Sequence, residues 1–116
     1  MDVYQIWCDL KPGVSDVTFA DHLGRYLSLL QRDGRIVSWR LLRRKLGLGP
    51  EGLGEFQVLI ETRDLAQLDA AFQAASRRSG EVEEAHAGVN QLVTGFRAGL
   101  WRDFPDAHRA RGDERF

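Results

Sequence analysis

Cysteine is nearly absent from these 116 residues: Cys8 stands alone. An internal disulfide framework and a cysteine-cluster zinc site are therefore excluded. Neither sign of charge prevails. Sixteen Lys and Arg face seventeen Asp and Glu, a formal net charge of -1, so electrostatics gives no reason to expect a nucleic acid or an anionic membrane as partner. No apolar run is long enough to span a bilayer, and Met1-Asp2-Val3-Tyr4 has neither the basic nor the apolar region of a signal peptide. The expectation is a cytoplasmic protein. No internal repeat, no domain linker and no GK[ST] phosphate-loop ending occurs either.

What is present suits a globular chain. Hydrophobic residues make up 43% and charged residues 28%, which argues against disorder. A chain of this length buries about two-thirds of its unfolded surface, enough for a core without staples. One domain is expected over residues 1–106, followed by a polar C-terminal tail at 107–116.

Val3 to Leu10 is rich in aromatic and β-branched residues and ends at the turn signal Lys11-Pro12-Gly13, which predicts a strand. Ser15 offers an N-cap and Asp16 suits the positive end of a helix. Phe19, Leu23, Leu27 and Leu30 then recur at helical spacing until Gly34. Arg35–Lys45 and Glu55–Thr62 read as two strands, joined by a glycine-rich loop too short for a crossover helix, hence an antiparallel hairpin. Asp64 with Gln67 resembles a capping box opening a helix buried through Leu65, Leu68, Phe72 and Ala75. Gly80 breaks that helix, Glu81, Glu83 and Glu84 load the first turn of another, and Thr94–Arg102 reads as the last strand. The order β-α-β-β-α-β, with the second helix broken, defines an α+β, ferredoxin-like fold with an antiparallel sheet.

Strand parity separates two faces. Tyr4, Ile6, Cys8, Val37, Trp39, Leu41, Phe56, Val58, Ile60, Phe96, Ala98 and Leu100 form the face that helices should cover. The other carries Gln5, Trp7, Asp9, Ile36, Ser38, Arg40, Leu42, Glu55, Gln57, Leu59, Glu61, Arg97, Gly99 and Trp101. Trp7, Leu42, Leu59 and Trp101 are bulky for a face open to water, which marks an interface. A second copy of the same sheet is the simplest partner, so a homodimer through the sheet face is expected.

With this order, length and two-sided sheet the sequence resembles the dimeric α+β barrel superfamily, in which two ferredoxin-like subunits close sheet against sheet. The resemblance is topological and covers nearly the whole chain. Its members include cofactor-free antibiotic-biosynthesis monooxygenases, small isomerases and haem-binding enzymes. The strings Arg43-Arg44-Lys45-Leu46-Gly47 through Gly54-Glu55-Phe56, and Leu100-Trp101-Arg102-Asp103-Phe104-Pro105-Asp106, are similar to an uncharacterised family of small proteins. No catalytic motif transfers onto them residue by residue. The resemblance implies a small-molecule-binding homodimer of the monooxygenase or isomerase type, working without a cofactor. The alternative is a non-catalytic module that binds a metabolite or assembles with itself.

His22 and His86 are the candidate catalytic residues, because each lies beside a helical apolar stripe where an imidazole could act as general base. The bland alternative is a packed, hydrogen-bonded histidine. Tyr4, Tyr26 and Trp39, with Phe56 and Phe96, are candidates to line an aromatic pocket for a small aromatic or amphipathic ligand, against the alternative of a core of large side chains. Arg40 and Arg97 could clamp a carboxylate or pair with Glu55, Glu61 or Asp9 across the barrel. Glu83-x-x-His86 has the spacing of a di-iron ligand pair but lacks the second pair and the bundle that site requires, and no metal site is expected. Gly47-x-Gly49-x-x-Gly52 matches a nucleotide-binding fingerprint in letters, yet a strand follows where a helix is needed. Glu55 and Gln57 occupy positions where an RNA-recognition module would stack bases. Cys8 is expected to be an inert core thiol.

Overall fold

The computed structural model describes residues 1–77 and 80–105; the expected tail at 107–116 lies outside them. In chain order the elements are β1 (Asp2–Leu10), α1 (Asp16–Arg32), β2 (Ser38–Arg43), β3 (Phe56–Thr62), α2 (Leu65–Ser76), α3 (Glu81–Asn90) and β4 (Val93–Arg102). All strand pairs are antiparallel in the order β2-β3-β1-β4. This is the ferredoxin-like α+β fold, with its second helix divided into α2 and α3. Gly80 holds φ +92° at the junction, a conformation that glycine adopts without a Cβ penalty.

The helices begin where their caps dictate. Ser15 Oγ accepts from the Thr18 N–H at 3.3 Å ahead of α1. At α2, Asp64 Oδ1 accepts from the Gln67 N–H and Gln67 Oε1 accepts from the Arg63 N–H, both at 2.8 Å. The Gln67 amide also donates to the Gly34 carbonyl at 3.0 Å, tying the start of α2 to the turn after α1. Phe19, Leu23, Leu27 and Leu30 of α1 are buried and pack with Cys8, Phe56, Val58 and Ile60 of the sheet. Phe19 and Phe56 meet edge to face at 5.2 Å.

Side chains close the hairpin loop by bonding to its backbone. Arg44 donates to the Leu53 carbonyl at 2.6 Å, and Asp9 accepts from the Glu55 N–H at 2.9 Å. Gly54 passes so close to β1 that a Cβ there would strike the backbone of Cys8.

Three sequence expectations shift. Ile36 does not belong to the open face: β2 begins at Ser38, and Ile36 precedes it in irregular backbone that turns it into the core, 3% exposed. On α2 the buried residues are Gln67, Leu68, Ala71 and Ala74, leaving Leu65 and Phe72 about half exposed. The helix rests on its small alanines, and Phe72 reaches sideways to meet the Tyr4 ring edge-on at 5.2 Å. On β4 the parity holds, since Tyr4 pairs with Leu100 and Ile6 with Ala98. The cover does not: Phe96, Ala98 and Leu100 are exposed. Between Trp7 and Asp9 the β1–β4 register slips, and Gly95 takes φ +65° there, the geometry of a glycine bulge.

The second sheet face has no buried residue. Trp7, Leu42 and Leu59 are half-buried and Trp101 is exposed. Trp7 and Trp101 form an edge-to-face pair at 6.0 Å, with the Trp101 ring lying across Gly99 where any larger side chain would collide with it.

Candidate active site

Between the helices and the sheet lies a cavity of about 170 Å³. Its inner wall is Leu23 and Leu27 of α1 with Ile6, Val58 and Ile60 of the sheet. Its outer edge is Phe72 of α2 and Phe96 of β4, both about half exposed. The cavity therefore opens where the helical layer stops short of β4.

Polar groups are few on this wall: the Tyr4 and Tyr26 hydroxyls, the His86 imidazole and the Asn90 amide, besides the Cys8 thiol. Tyr26 of α1 and His86 of α3 face each other, ring centroids 5.3 Å apart and tilted by 51°. Burial pushes the Tyr26 hydroxyl up to about 12, with smaller contributions from Tyr4 and Glu83. Burial also raises Tyr4. Both phenols are neutral near pH 7, able to donate one hydrogen bond and accept others. Burial pushes the Cys8 thiol up to about 11, with Asp9 adding to the effect. A thiol so raised and so buried is a poor nucleophile.

The expected site residues divide. Tyr4, Tyr26, His86 and Phe96 line the cavity; His22, Trp39 and Phe56 do not. His22 packs on the backbone of α3, its Nδ1 lying 3.2 Å from where a Cβ on Gly88 would be. Trp39 lies under Gly24 of α1. Arg40 and Arg97 are exposed on the second face. Because β2 and β4 are the two edges of the sheet, the backbones of these arginines stand at least roughly 14 Å apart, three strand spacings. Glu55 pairs with Arg43 at 3.2 Å, Arg43 also reaches Asp16 at 2.9 Å, and the Asp9 carboxylate serves the hairpin.

Sequence reasoning did not pick out Asn90 or Ala71, and it named Phe72 and Ala75 only as the buried face of their helix. Asn90 follows His86 by four residues, so the helical period alone places them on one stripe. A second hollow of about 340 Å³ lies on the other sheet face under the hairpin loop, among Trp7, Leu42, Arg44, Leu48 and Gln57. Its Arg44 is already spent on loop carbonyls. Among the described residues no group of three His, Cys, Asp or Glu is placed to hold a metal ion, and no helix is long and apolar enough to cross a membrane.

One four-stranded antiparallel sheet with helices on one face and a bare second face is the ferredoxin-like arrangement, and solved structures share the fold. A mutant of SnoaB, a cofactor-independent oxygenase from Streptomyces nogalater, superposes with a TM-score of 0.69 at 12% identity, covering 93% of this chain and 97% of that one. HapK from Hahella chejuensis gives 0.56 at 13% identity, over 95% of this chain and 99% of that one. A dimeric protein of unknown function and ferredoxin-like fold from Bacteroides fragilis gives 0.56 at 9% identity, over 88% and 95%. At these identities the likeness is one of fold. No curated protein matches the chain in sequence. A family model described as "Family of unknown function (DUF6614)" matches residues 1–116, and the chain belongs to that family.

Proposed function

We propose that the chain works as a homodimer joined through its second sheet face, and that its helix–sheet cavity binds a small aromatic or amphipathic molecule. We infer that it acts on this molecule without a cofactor, as an enzyme of the monooxygenase or isomerase type. The observation that carries the reading is the pairing of Tyr26 with His86 on the wall of an otherwise apolar cavity. In such a place an imidazole can take a proton from an acidic C–H or O–H of the ligand. The neutral Tyr26 hydroxyl can donate to the oxygen on which negative charge develops, a stabilisation strengthened where water is excluded. Return of the proton at another carbon gives isomerisation; reaction of the anion with dissolved dioxygen gives oxygenation. The oxygenase named among the similar folds supports the second route as one of the two. A single buried thiol fits a reducing compartment such as the cytoplasm.

The dimer supplies its own test. Light scattering at micromolar concentration is expected to give twice 13.1 kDa, and Leu59→Arg, at the centre of the second face, to give a monomer. For the chemistry, the measurement is loss of deuterium from an α-deuterated enolisable phenyl ketone, followed by NMR. Exchange is expected to fall by about a hundredfold in His86→Ala, the range for loss of a general base, and to survive in His22→Ala. Saturable binding with no exchange or oxidation of any enolisable or phenolic compound would leave the metabolite-binding module as the correct reading.

A further inference from the structure

We propose that the cavity takes an uncharged, single-ring molecule carrying one hydroxyl, its ring against Ile6, Val58 and Leu27 and its hydroxyl toward Tyr26 and His86. This rests on the reading of that cavity as the ligand site, and it narrows the ligand by size, charge and polarity.

Size comes first. A cavity of roughly 150 Å³ lined by aliphatic and aromatic side chains accommodates a benzene, so about 170 Å³ admits one six-membered ring with one or two small substituents. A fused pair of rings would protrude between Phe72 and Phe96, whose half-exposed rings form the mouth.

Charge comes second. Among the described residues no Lys, Arg, Asp or Glu lines the cavity, and Arg40 and Arg97 stand on the opposite sheet face. A carboxylate or ammonium group entering it would be stripped of water with no counter-charge among the described lining residues, a heavy desolvation penalty.

Polarity is the third constraint. Tyr26 and His86 are neighbours, and Tyr4 lies near enough to influence the Tyr26 hydroxyl. Leu23, Leu27, Val58 and Ile60, also in the lining, offer a ligand nothing but hydrocarbon. A wholly apolar ligand would leave the polar corner unpaired, and a ligand with polar groups at both ends would bury one of them without a partner. A single hydroxyl, both donor and acceptor, satisfies the corner.

The experiment is calorimetric titration of the full chain with p-cresol, toluene, benzoate and 2-naphthol, repeated in Tyr26→Phe and, as a second probe, in Ala71→Val, which reduces the cavity by two methyl groups. Saturable p-cresol binding is expected, with toluene about fivefold or more weaker, the worth of one hydrogen bond, and benzoate weaker still. Tyr26→Phe is expected to weaken p-cresol about fivefold while leaving toluene unchanged, a pattern that general loss of structure would not give. Ala71→Val should weaken both. Benzoate or 2-naphthol binding more tightly than p-cresol, with Ala71→Val still weakening it, would overturn the proposed class and leave the cavity as the ligand site. Failure of all four compounds to bind the folded protein would overturn both.

Discussion

Strands β3 and β4 flank β1 on either side, pair with it in the same antiparallel sense, and send alternate residues to the same face. Tyr4 shows how differently they fare. Its partner on β3 is Ile60, 7% exposed; its partner on β4 is Leu100, 51% exposed. Both strands alternate apolar residues, so the difference lies in what is above them. Helix α1 packs over β2 and α2 over β3, with buried alanines letting α2 approach closely, and β4 is left at the uncovered edge. The cavity lies on the boundary between the covered and uncovered halves, which gives a small chain both a rigid core and an opening.

The largest effect expected from this contrast is on the covered side. Ile60→Ala should cost about 2–5 kcal/mol, as deletions in a well-packed core do, read as a shift in the urea midpoint with unchanged slope. A loss under about 1 kcal/mol would mean that the core around β3 is loose and that the contrast with β4 is false.

Cys8 tests the same half from within the cavity. Buried and raised to about 11, it is expected to react with a thiol-exchange reagent at pH 8 more than about a thousandfold slower than in denaturant, since labelling must await an opening that exposes it. Rapid labelling of the native protein would show that the opening at Phe72 and Phe96 reaches the inner wall.

The contrast also explains what could be read in advance. Element order, the hairpin, both helix caps and the break at Gly80 were legible because each rests on local chemistry: a capping oxygen, a turn glycine, a period of 2 or 3.6. The two faces of the sheet were legible for the same reason. What alternation cannot encode is the width of the helical layer, so Phe96 and Leu100 were assigned to a covered face that the described helices leave half open. Ile36 was misplaced because parity was carried back past Ser38, where the strand begins. Of the cavity lining, Tyr4, Tyr26 and His86 could be named from type and spacing. The exclusion of Trp39 and His22 depends on how α1 lies on the sheet and on α3, a tertiary fact. The separation of Arg40 from Arg97 depends on strand order, which parity leaves undefined.

The uncovered strand needs a fastening, and its far end has one. Asp2, 3% exposed on β1, accepts from the Arg102 guanidinium of β4. Arg102 holds the Asp2 carboxyl below its ordinary 3.8, overcoming the opposing effect of burial, with the chain's amino terminus adding to the lowering. A carboxyl lowered in the folded state contributes stability that is complete above its unfolded value and is lost as pH falls through the folded one. Asp2→Asn should therefore cost about 1–3 kcal/mol at pH 7, the range for a hydrogen bond to a charged group. The difference from the parent should hold down to about pH 5 and shrink below 3.8, measured by urea denaturation across the pH series. A difference independent of pH would mean that shape, not charge, fastens β4.

The smallest effect is the most exacting test of the comparison. Leu100 occupies the same place opposite Tyr4 as Ile60, on the same face, with half its surface in water. Leu100→Ala should lose only the transfer free energy of the buried half of its side chain, about 0.5–1 kcal/mol. No described residue packed above it would be left facing a void, so the cavity term that enlarges core deletions does not apply. The dimer interface proposed for the opposite face does not alter this expectation. A loss rising to the 2–5 kcal/mol of a core deletion, and growing with protein concentration, would reveal a second copy lying over β4. The mouth between Phe72 and Phe96 would then belong to two chains, and the ligand's route would run between subunits.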